Sequence, residues 1–284
     1  MRQKTRTREE KTMKITLLND LSGYGNCSLT ANIPVLNVLG HETHPFPTAI
    51  LSNQTAYDSY FMKNTAEYFD DYVSQWEKLG EKTDCVYAGF SVDAALPLKA
   101  ADLAEKYGAM FFFDPVLGDK GALYKCFDET FVSCYRAAAK RADYITPNFT
   151  EACLLAEEDY SSFLREGDLQ NFTERLLELA EKLHADGAKN VIVTGAQWKK
   201  RLFNGCCFGG KRFLFECEYF PKAYSGTGDL FDSVFLGLLL NGETAENCVK
   251  AASAFVSQCV SYAIGHGVDS RHGVNFAPFL KNLR

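Results

Sequence analysis

The stretch Tyr224–Asn241 contains residue types that could transfer a phosphoryl group. Its sequence, Y-S-G-T-G-D-L-F-D-S-V-F-L-G-L-L-L-N, places a Gly-Thr-Gly turn and Asp229 before an apolar run of helical length. Gly226 and Gly228 can adopt backbone angles closed to other residues and can let a ligand approach the main chain. The first N–H groups of a helix lack internal partners and, with the helix dipole, favour a bound anion. A carboxylate there would repel that anion unless it accepts a proton, which predicts a phosphate-transfer site with Asp229 as general base.

The same four residues could also form a tight turn in which Asp229 only caps the helix, since Asp is a favoured N-cap residue. In isolation this structural interpretation is at least as good. The apolar helix that follows favours function, because it would bury Asp229 against the core unless a cavity is kept there. The chain contains neither a Walker A loop nor a Rossmann fingerprint, so neither of those phosphate sites applies.

A second acidic turn, D-P-V-L-G-D at Asp114–Asp119, follows a strongly apolar predicted strand. Two carboxylates around such a turn could hold a hydrated Mg²⁺, which prefers one or two carboxylates plus phosphate oxygens. Asp, Pro and Gly are also the usual residues of ordinary turns. For Asp119 the two interpretations are level, whereas the position of Asp114 directly after a buried strand favours function.

Two further polar stretches have strong structural explanations. In T-P-N-F-T-E, Asn148 and Glu151 have the spacing of a capping box at a helix N-terminus, although the same turn can also face a ligand. Ser52–Thr55 (S-N-Q-T) has no mechanism of its own, and a solvated turn is the better interpretation of these residues alone.

The elements that must position these residues alternate along the chain. Short apolar runs such as Lys14–Leu18 and Asn190–Thr194 alternate with helical patterns such as Leu29–Leu39 and Asn64–Leu79, which predicts a mostly parallel sheet covered on both faces. Two runs separated by Gly209-Gly210 predict an antiparallel hairpin. Ligands of such sheets bind beyond the carboxyl ends of the strands, where the polar turns are expected to meet.

Composition narrows the class of protein. The 284 residues are 46% hydrophobic, enough for a large core, and the net charge of −6 gives no footprint for nucleic acid. Ten cysteines without a C-x-x-C pair, a charged N-terminus without an apolar signal and no apolar run of membrane-spanning length predict a reduced, cytoplasmic protein without a membrane segment. Residues 1–12 are polar and predicted to be disordered, and residues 13–284 are predicted to form one domain.

Taken together, the motifs resemble the ribokinase-like superfamily and, within it, the pyridoxal/pyridoxine/pyridoxamine kinases. The motifs are S-G-T-G-D-L-F (225–231), F-D-P-V-L-G-D-K (113–120), I-T-P-N-F-T-E (145–151) and L-S-N-Q-T (51–55), in the order and at about the intervals of that family. The resemblance implies a three-layer α/β/α sandwich with an antiparallel edge hairpin. It also implies ATP-dependent phosphorylation of the 5′-hydroxymethyl group of a B6 vitamer, for vitamin B6 salvage.

The resemblance implies a role for each candidate residue. Asp229 would deprotonate the hydroxymethyl group, and the amides of Gly226, Thr227 and Gly228 would form an anion hole for the transferred group. Asp114 and Glu151 would act on Mg²⁺. The residues implied at the nucleotide are Asp119, Asn148, Thr194, Ser225 and Phe231. Those implied at the vitamer are Asp20, Ser22, Thr55 and Phe90, together with Asp229.

Two substrate-side departures, Asp20 in place of a common Ser and Gln54 in place of a common His, leave the preferred vitamer open. A hydroxymethylpyrimidine (phosphate) kinase, or an enzyme with both activities, is the nearest alternative. A non-catalytic pyridoxal-phosphate-binding protein on the same fold is a further one. The resemblance implies Mg²⁺ with ATP, leaves a requirement for K⁺ open, and implies a homodimer because relatives are often homodimers.

Overall fold

Strands and helices alternate along the computed structural model, which describes residues 12–165 and 167–283. The extension predicted to be disordered lies outside the described residues except for Thr12. The strands are β1 (Lys14–Ser22), β2 (Glu42–Leu51), β3 (Met62–Asn64), β4 (Cys85–Ala88), β5 (Met110–Phe113), β6 (Gly118–Asp119), β7 (Ala122–Leu123), β8 (Tyr144–Ile145), β9 (Asn190–Trp198), β10 (Arg201–Phe208) and β11 (Lys211–Cys217). The helices are α1 (Ser28–Val38), α2 (Phe69–Lys78), α3 (Leu96–Tyr107), α4 (Glu129–Ala139), α5 (Phe149–Ala156), α6 (Tyr160–Arg165), α7 (Leu169–Ala185), α8 (Thr227–Leu240) and α9 (Ala245–Gly265). Short 3₁₀ segments cover Ala66–Tyr68 and Ala277–Leu283.

Nine of the described strands form one sheet in the order β11-β10-β9-β8-β5-β4-β1-β2-β3. The central strands from β9 to β2 pair in parallel, whereas β10, β11 and β3 add antiparallel edges. Strands β6 and β7 form a separate small hairpin. The predicted α/β sandwich with an edge hairpin is therefore confirmed.

The two faces of the sheet bury different residues of each strand. Along β5, Phe111 and Phe113 enter one apolar cluster and Phe112 enters the other, because side chains of a strand alternate between its faces. The first cluster also contains residues of α3, α4, α5 and α7, and the second contains residues of α1, α8 and α9. The helices thus cover both faces, which gives the three layers.

Several element boundaries differ from the sequence predictions. The helix predicted over Asn64–Leu79 begins only at Phe69, because Met62–Asn64 pairs with β2 and the Asn64 side chain accepts a hydrogen bond from the Ala66 amide. Pro34 lies inside α1 and not in its first turn.

Two strands extend beyond the points at which polar or glycine residues predicted their ends. β1 passes through Asn19 and Asp20 to Ser22 with a register irregularity. β9 continues past Gly195, where the Gly195 amide donates to Asn204 Oδ1 at 3.0 Å opposite a second irregularity. The short elements α6, β6 and β7 were not predicted.

The ten cysteines are all free. Among the helices that the structure describes, none is both long and apolar enough to cross a membrane.

Candidate active site

The Gly-Thr-Gly turn lies at the N-terminus of α8, at the edge of the sheet where the parallel strands end. Gly226 caps the helix with φ 75°, a left-handed conformation. A Cβ there would lie 2.2 Å from the carbonyl oxygen of Asn26, so only glycine fits. The hydroxyl of Thr227 donates to the carbonyl of Tyr224 at 3.0 Å. The turn is thus fixed against the loop before α1, with the free amides of the first helical turn following it.

Asp229 is held by two hydrogen bonds from other parts of the chain. Its Oδ1 accepts from Asn19 Nδ2 at 3.0 Å, and its Oδ2 accepts from the Ser28 amide at 2.8 Å. Burial raises the pKa of Asp229 to about 6; the Ser28 amide opposes this shift, the charge of Asp20 adds to it, and Asn19 opposes it. A carboxylate that is oriented and has a pKa near neutrality suits a general base.

The partners of Asp229 belong to a buried polar network that the sequence analysis did not identify. Asn19 Nδ2 also donates to Asn32 Oδ1 at 3.0 Å, and its Oδ1 accepts from the amides of Asp20 and Phe90. Asn32 donates to Ser233 Oγ at 2.9 Å and to the carbonyl of Asp229 at 3.3 Å. The only sequence signal was a polar Asn32 within an otherwise apolar face of α1.

A group of buried carboxylates lies beyond Asp229. Asp114 follows β5, and its carboxyl group contacts that of Asp232 on α8. Tyr87 donates its hydroxyl to Asp232 Oδ2 at 3.2 Å. Burial, followed by the charge of Asp229, raises the pKa of Asp114 to about 8, and burial also raises that of Asp232. Asp232 was missed by the sequence analysis, although an acidic residue in the apolar run after Asp229 is a signal.

Glu151 completes the predicted capping box at the start of α5. Its Oε2 accepts from the Asn148 amide at 2.7 Å, and its own amide donates to Asn148 Oδ1 at 3.0 Å. Its Oε1 accepts from the Leu117 amide at 3.0 Å, which ties the acidic turn to α5. Burial and the charge of Asp114 raise the pKa of Glu151 despite these bonds.

These residues offer the chemistry that Mg²⁺ prefers. Their metal-binding atoms are hard carboxylate oxygens, and the hydroxyl of Thr146 lies beside Asp232. No three His, Cys, Asp or Glu side chains within residues 12–165 and 167–283 converge into a cage for an ion. Mg²⁺ commonly keeps several waters and binds substrate phosphates, so the acidic group fits it as a partial, water-mediated set of ligands.

Replacing Asp114 by asparagine tests how much this group of buried carboxylates destabilises the folded protein. The pKa of Asp114 is raised from 3.8 to about 8. Between these two pH values the folded protein keeps a proton on Asp114 that the unfolded chain has released, so the free energy of unfolding falls as pH rises. Asparagine stays neutral, and its side-chain oxygen can still accept a hydrogen bond from Asp232. We expect Asp114→Asn to raise the melting temperature of the ligand-free, metal-free protein more at pH 8 than at pH 5. Asp119→Asn, at an exposed carboxylate, is the control, and an equal effect at both pH values would contradict the assignment.

The other residues predicted for the nucleotide lie in different settings. Asp119 is on the exposed β6–β7 hairpin, and Asn148 donates to the carbonyl of Gly118 at 2.8 Å. Thr194 forms a parallel bridge with Asn148 beside the strand ends. Phe231 is 6% exposed and its ring stacks on that of Phe235 within the apolar core, and its contact with adenine stays a prediction.

The substrate-side residues cluster around the end of β1. Asp20 is 5% exposed and Ser22 is fully buried, and the Ser22 hydroxyl donates to Asp20 Oδ2 at 2.8 Å. The amide of Phe90 is bound to Asn19, its carbonyl accepts from Thr48 at 2.6 Å, and its ring packs beside Phe127.

The loop after β2 reaches the turn at Gly226. Thr55 is exposed on this loop, whereas its neighbour Gln54 is buried. Gln54 donates to Ser225 Oγ at 3.0 Å and to the carbonyl of Arg271. The interpretation of Ser52–Thr55 as a solvated turn is therefore wrong for Gln54, which links the loop to the Gly-Thr-Gly turn.

Comparison with known proteins shows extensive similarity. The phosphomethylpyrimidine kinase family matches residues 26–274. A structure from Bacteroides thetaiotaomicron, assigned as a phosphomethylpyrimidine kinase and containing pyridoxal, is 32% identical, with a TM-score of 0.88 and 96% of each chain covered. Pyridoxal kinase from Lactobacillus plantarum is 26% identical with a TM-score of 0.85, covering 96% of this chain and 97% of that one. A hydroxymethylpyrimidine/phosphomethylpyrimidine kinase of Haemophilus influenzae is 26% identical over 175 residues, 58% of this chain and 61% of that protein.

Proposed function

The chain belongs to the phosphomethylpyrimidine kinase family, and we propose that it transfers the γ-phosphoryl group of ATP to the 5′-hydroxymethyl group of a B6 vitamer. The vitamer would be pyridoxal, pyridoxine or pyridoxamine, and the product its 5′-phosphate, for vitamin B6 salvage. The observation that carries the proposal is the carboxylate of Asp229, held between Asn19 and Ser28 one residue after the amide-rich turn.

In the proposed reaction the hydroxymethyl oxygen of the vitamer attacks the γ-phosphorus of ATP while Asp229 accepts the proton of that hydroxyl group. The bond between the γ-phosphorus and the bridging oxygen breaks, and ADP leaves. The amides of Gly226, Thr227 and Gly228 donate to the transferred group, and the positive end of the α8 dipole favours its charge. A magnesium ion, held by Asp114 and Glu151 through water, would offset the charge of the phosphates. Phosphoryl transfer needs this positioning and charge stabilisation more than covalent chemistry.

The remaining candidate residues border the two substrates. Asp119, Asn148, Thr194 and Ser225 would contact ATP on the side of α5 and the Gly-Thr-Gly turn. Thr55 and Phe90 would contact the vitamer ring, with Asp20 and Ser22 at the base of this pocket. The fixed backbone of Phe90 and its packing on Phe127 support a rigid wall on this side of the site.

A hydroxymethylpyrimidine (phosphate) kinase is the second candidate, supported by the family match and by the Haemophilus influenzae relative. The experiment that separates the two is ATP consumption with pyridoxal, pyridoxine, pyridoxamine and hydroxymethylpyrimidine, measured side by side. We expect kcat/KM to be greatest for a B6 vitamer. A greater value for the pyrimidine would favour the second candidate, and tight vitamer binding without turnover at any Mg²⁺ concentration would favour a non-catalytic binding protein.

The pH dependence of the reaction should report the state of Asp229. Its pKa is raised to about 6, so the carboxylate that accepts a proton is lost as pH falls through this value. At saturating MgATP, we expect kcat/KM for pyridoxal to decrease about tenfold per pH unit below pH ~6 and to be nearly constant just above it. A profile without an acidic limb between pH 5 and 7 would contradict the role of Asp229 as base.

Three further features belong to the proposal. Residues 13–284 would act as one kinase domain in the cytoplasm, and the protein would be a homodimer. Light scattering on the purified protein tests the last point.

A further inference from the structure

Ser28 joins the carboxylate of Asp229 to that of Asp20. Its amide donates to Asp229 Oδ2 at 2.8 Å, and its hydroxyl donates to Asp20 Oδ1 at 2.5 Å. A single residue therefore holds the proposed base with its main chain and a second buried carboxylate with its side chain.

The backbone of Ser28 is strained. It has φ 51° at the start of α1, a left-handed conformation that residues with a Cβ seldom adopt and that costs on the order of 1–2 kcal/mol. Ser28 is also only 7% exposed, so contacts within the protein hold this conformation. The hydrogen bonds of Ser28 to Asp20 and to Asp229 are the contacts that can compensate for the strain, and the bond to Asp20 is the one that its side chain makes. Strain of this kind persists where surrounding contacts enforce it, often at functional sites.

Asp20 is itself held by hydrogen bonds to both of its carboxylate oxygens and from its amide. Its Oδ2 accepts from Ser22 Oγ at 2.8 Å, and its amide donates to Asn19 Oδ1 at 3.0 Å. Asn19 in turn donates to Asp229 Oδ1 at 3.0 Å. The contacts therefore close a ring from Asp229 through Ser28, Asp20 and Asn19 back to Asp229, and both oxygens of the proposed base are held by partners of Asp20.

We propose that Asp20 is a positioning residue that acts through Ser28 on Asp229, and not a group that recognises the vitamer ring. Each carboxylate oxygen of Asp20 already accepts a hydrogen bond from a serine hydroxyl, and the residue is only 5% exposed. Without the acceptor at position 20, the Ser28 peptide can relax from the left-handed conformation. Its amide then turns away and Asp229 loses one of its two fixed donors. The proposal rests on the proposed function, since it takes Asp229 as the base.

Two pairs of variants separate positioning from ring recognition. Asp20→Asn keeps an oxygen acceptor for Ser28, whereas Asp20→Ala removes it. Ser28→Gly adopts φ > 0 without strain and keeps the amide, whereas Ser28→Ala keeps the Cβ that disfavours φ > 0 and loses the hydroxyl that holds the conformation. Thr83→Val is the control, because it removes a buried hydroxyl at the opposite end of the strands.

With pyridoxal and MgATP, we expect Asp20→Ala and Ser28→Ala to lower kcat by ~10- to 100-fold while KM for pyridoxal changes by less than ~3-fold, since small misplacements of a reacting group cost about this much. Asp20→Asn and Ser28→Gly should recover most of kcat, and Thr83→Val should match the wild type. In an Asp229→Ala background, Asp20→Ala should cause no further loss, because both changes act through one group. A raised KM with unchanged kcat, or equal losses for Asp20→Asn and Asp20→Ala, would overturn the proposal.

A readout that does not depend on activity keeps this proposal separate from the proposed function. Crystal structures of the wild type and of Ser28→Ala should show Asp229 in different rotamers, and Asp229 unmoved would overturn the positioning role. A wild type that phosphorylates none of the four acceptors would instead contradict the proposed function, and the crystallographic comparison would still decide the role of Asp20.

Discussion

Asp229→Ala is expected to lower kcat for pyridoxal by ~100-fold or more, the lower end of what a positioned acid–base group contributes. Asp229 is the one carboxylate that combines a place in the first turn of α8 with two fixed hydrogen-bond donors, Asn19 and Ser28. Alanine leaves the amides of the turn in place but removes the proton acceptor. The loss should therefore appear in kcat, with KM for ATP little changed.

The measurement is steady-state ADP formation with pyridoxal, for the wild type, Asp229→Ala and a control. Asp71→Ala, at an exposed carboxylate in α2, is a suitable control because it removes a carboxylate remote from the strand ends. Circular dichroism and thermal unfolding must show that Asp229→Ala is folded. A folded variant with near-normal turnover would refute the assignment of the base.

Gly226→Ala is expected to lower kcat as much as Asp229→Ala does, and it should also destabilise the folded protein. The added Cβ would lie 2.2 Å from the carbonyl oxygen of Asn26 and 3.0 Å from the Cα of Cys27, and both contacts are with main chain that cannot rotate away. The loop that must move leads directly into Ser28, the donor to Asp229. One methyl group should thus displace both the anion hole and a partner of the base.

Gly80→Ala is a matched control for this prediction. Gly80 has the same φ, +75°, but an added Cβ there has no atom within 4 Å. It isolates the cost of the left-handed conformation, roughly 1–2 kcal/mol, from the cost of the steric conflict. We expect Gly80→Ala to lower the melting temperature slightly and to keep kcat, whereas Gly226→Ala should lose ~100-fold or more in kcat, as expected for a misplaced reacting group. Similar behaviour of the two variants would contradict the steric argument.

The sequence was most informative where local pattern and function coincide. The alternation of apolar runs with helical patterns predicted the parallel sheet, and the polar turns after β5 and β8 predicted where its candidate site lies. The capping box of Asn148 and Glu151 could be identified because both partners lie within one turn. The glycines of the Gly-Thr-Gly turn could be identified for the same reason.

The residues that the sequence analysis missed depend on contacts between distant parts of the chain. Asn19 and Asp229 are separated by 210 positions, and Ser28 and Asp229 by 201, so neither pairing has a local signal. Asp232 was overlooked because its only cue was its place within an apolar run. The strand Met62–Asn64 was taken for helix because its pairing with β2 outweighs the helical pattern that continues into α2.

The most direct test of the proposed function is to identify the product formed from pyridoxal and MgATP. Mass spectrometry and ³¹P nuclear magnetic resonance of the reaction mixture should show pyridoxal 5′-phosphate, a phosphate monoester on the hydroxymethyl oxygen, formed in step with ADP by the wild type and greatly reduced with Asp229→Ala. Absence of phosphorylated vitamer with pyridoxal, pyridoxine and pyridoxamine alike, from a folded protein that binds ATP, would contradict the account.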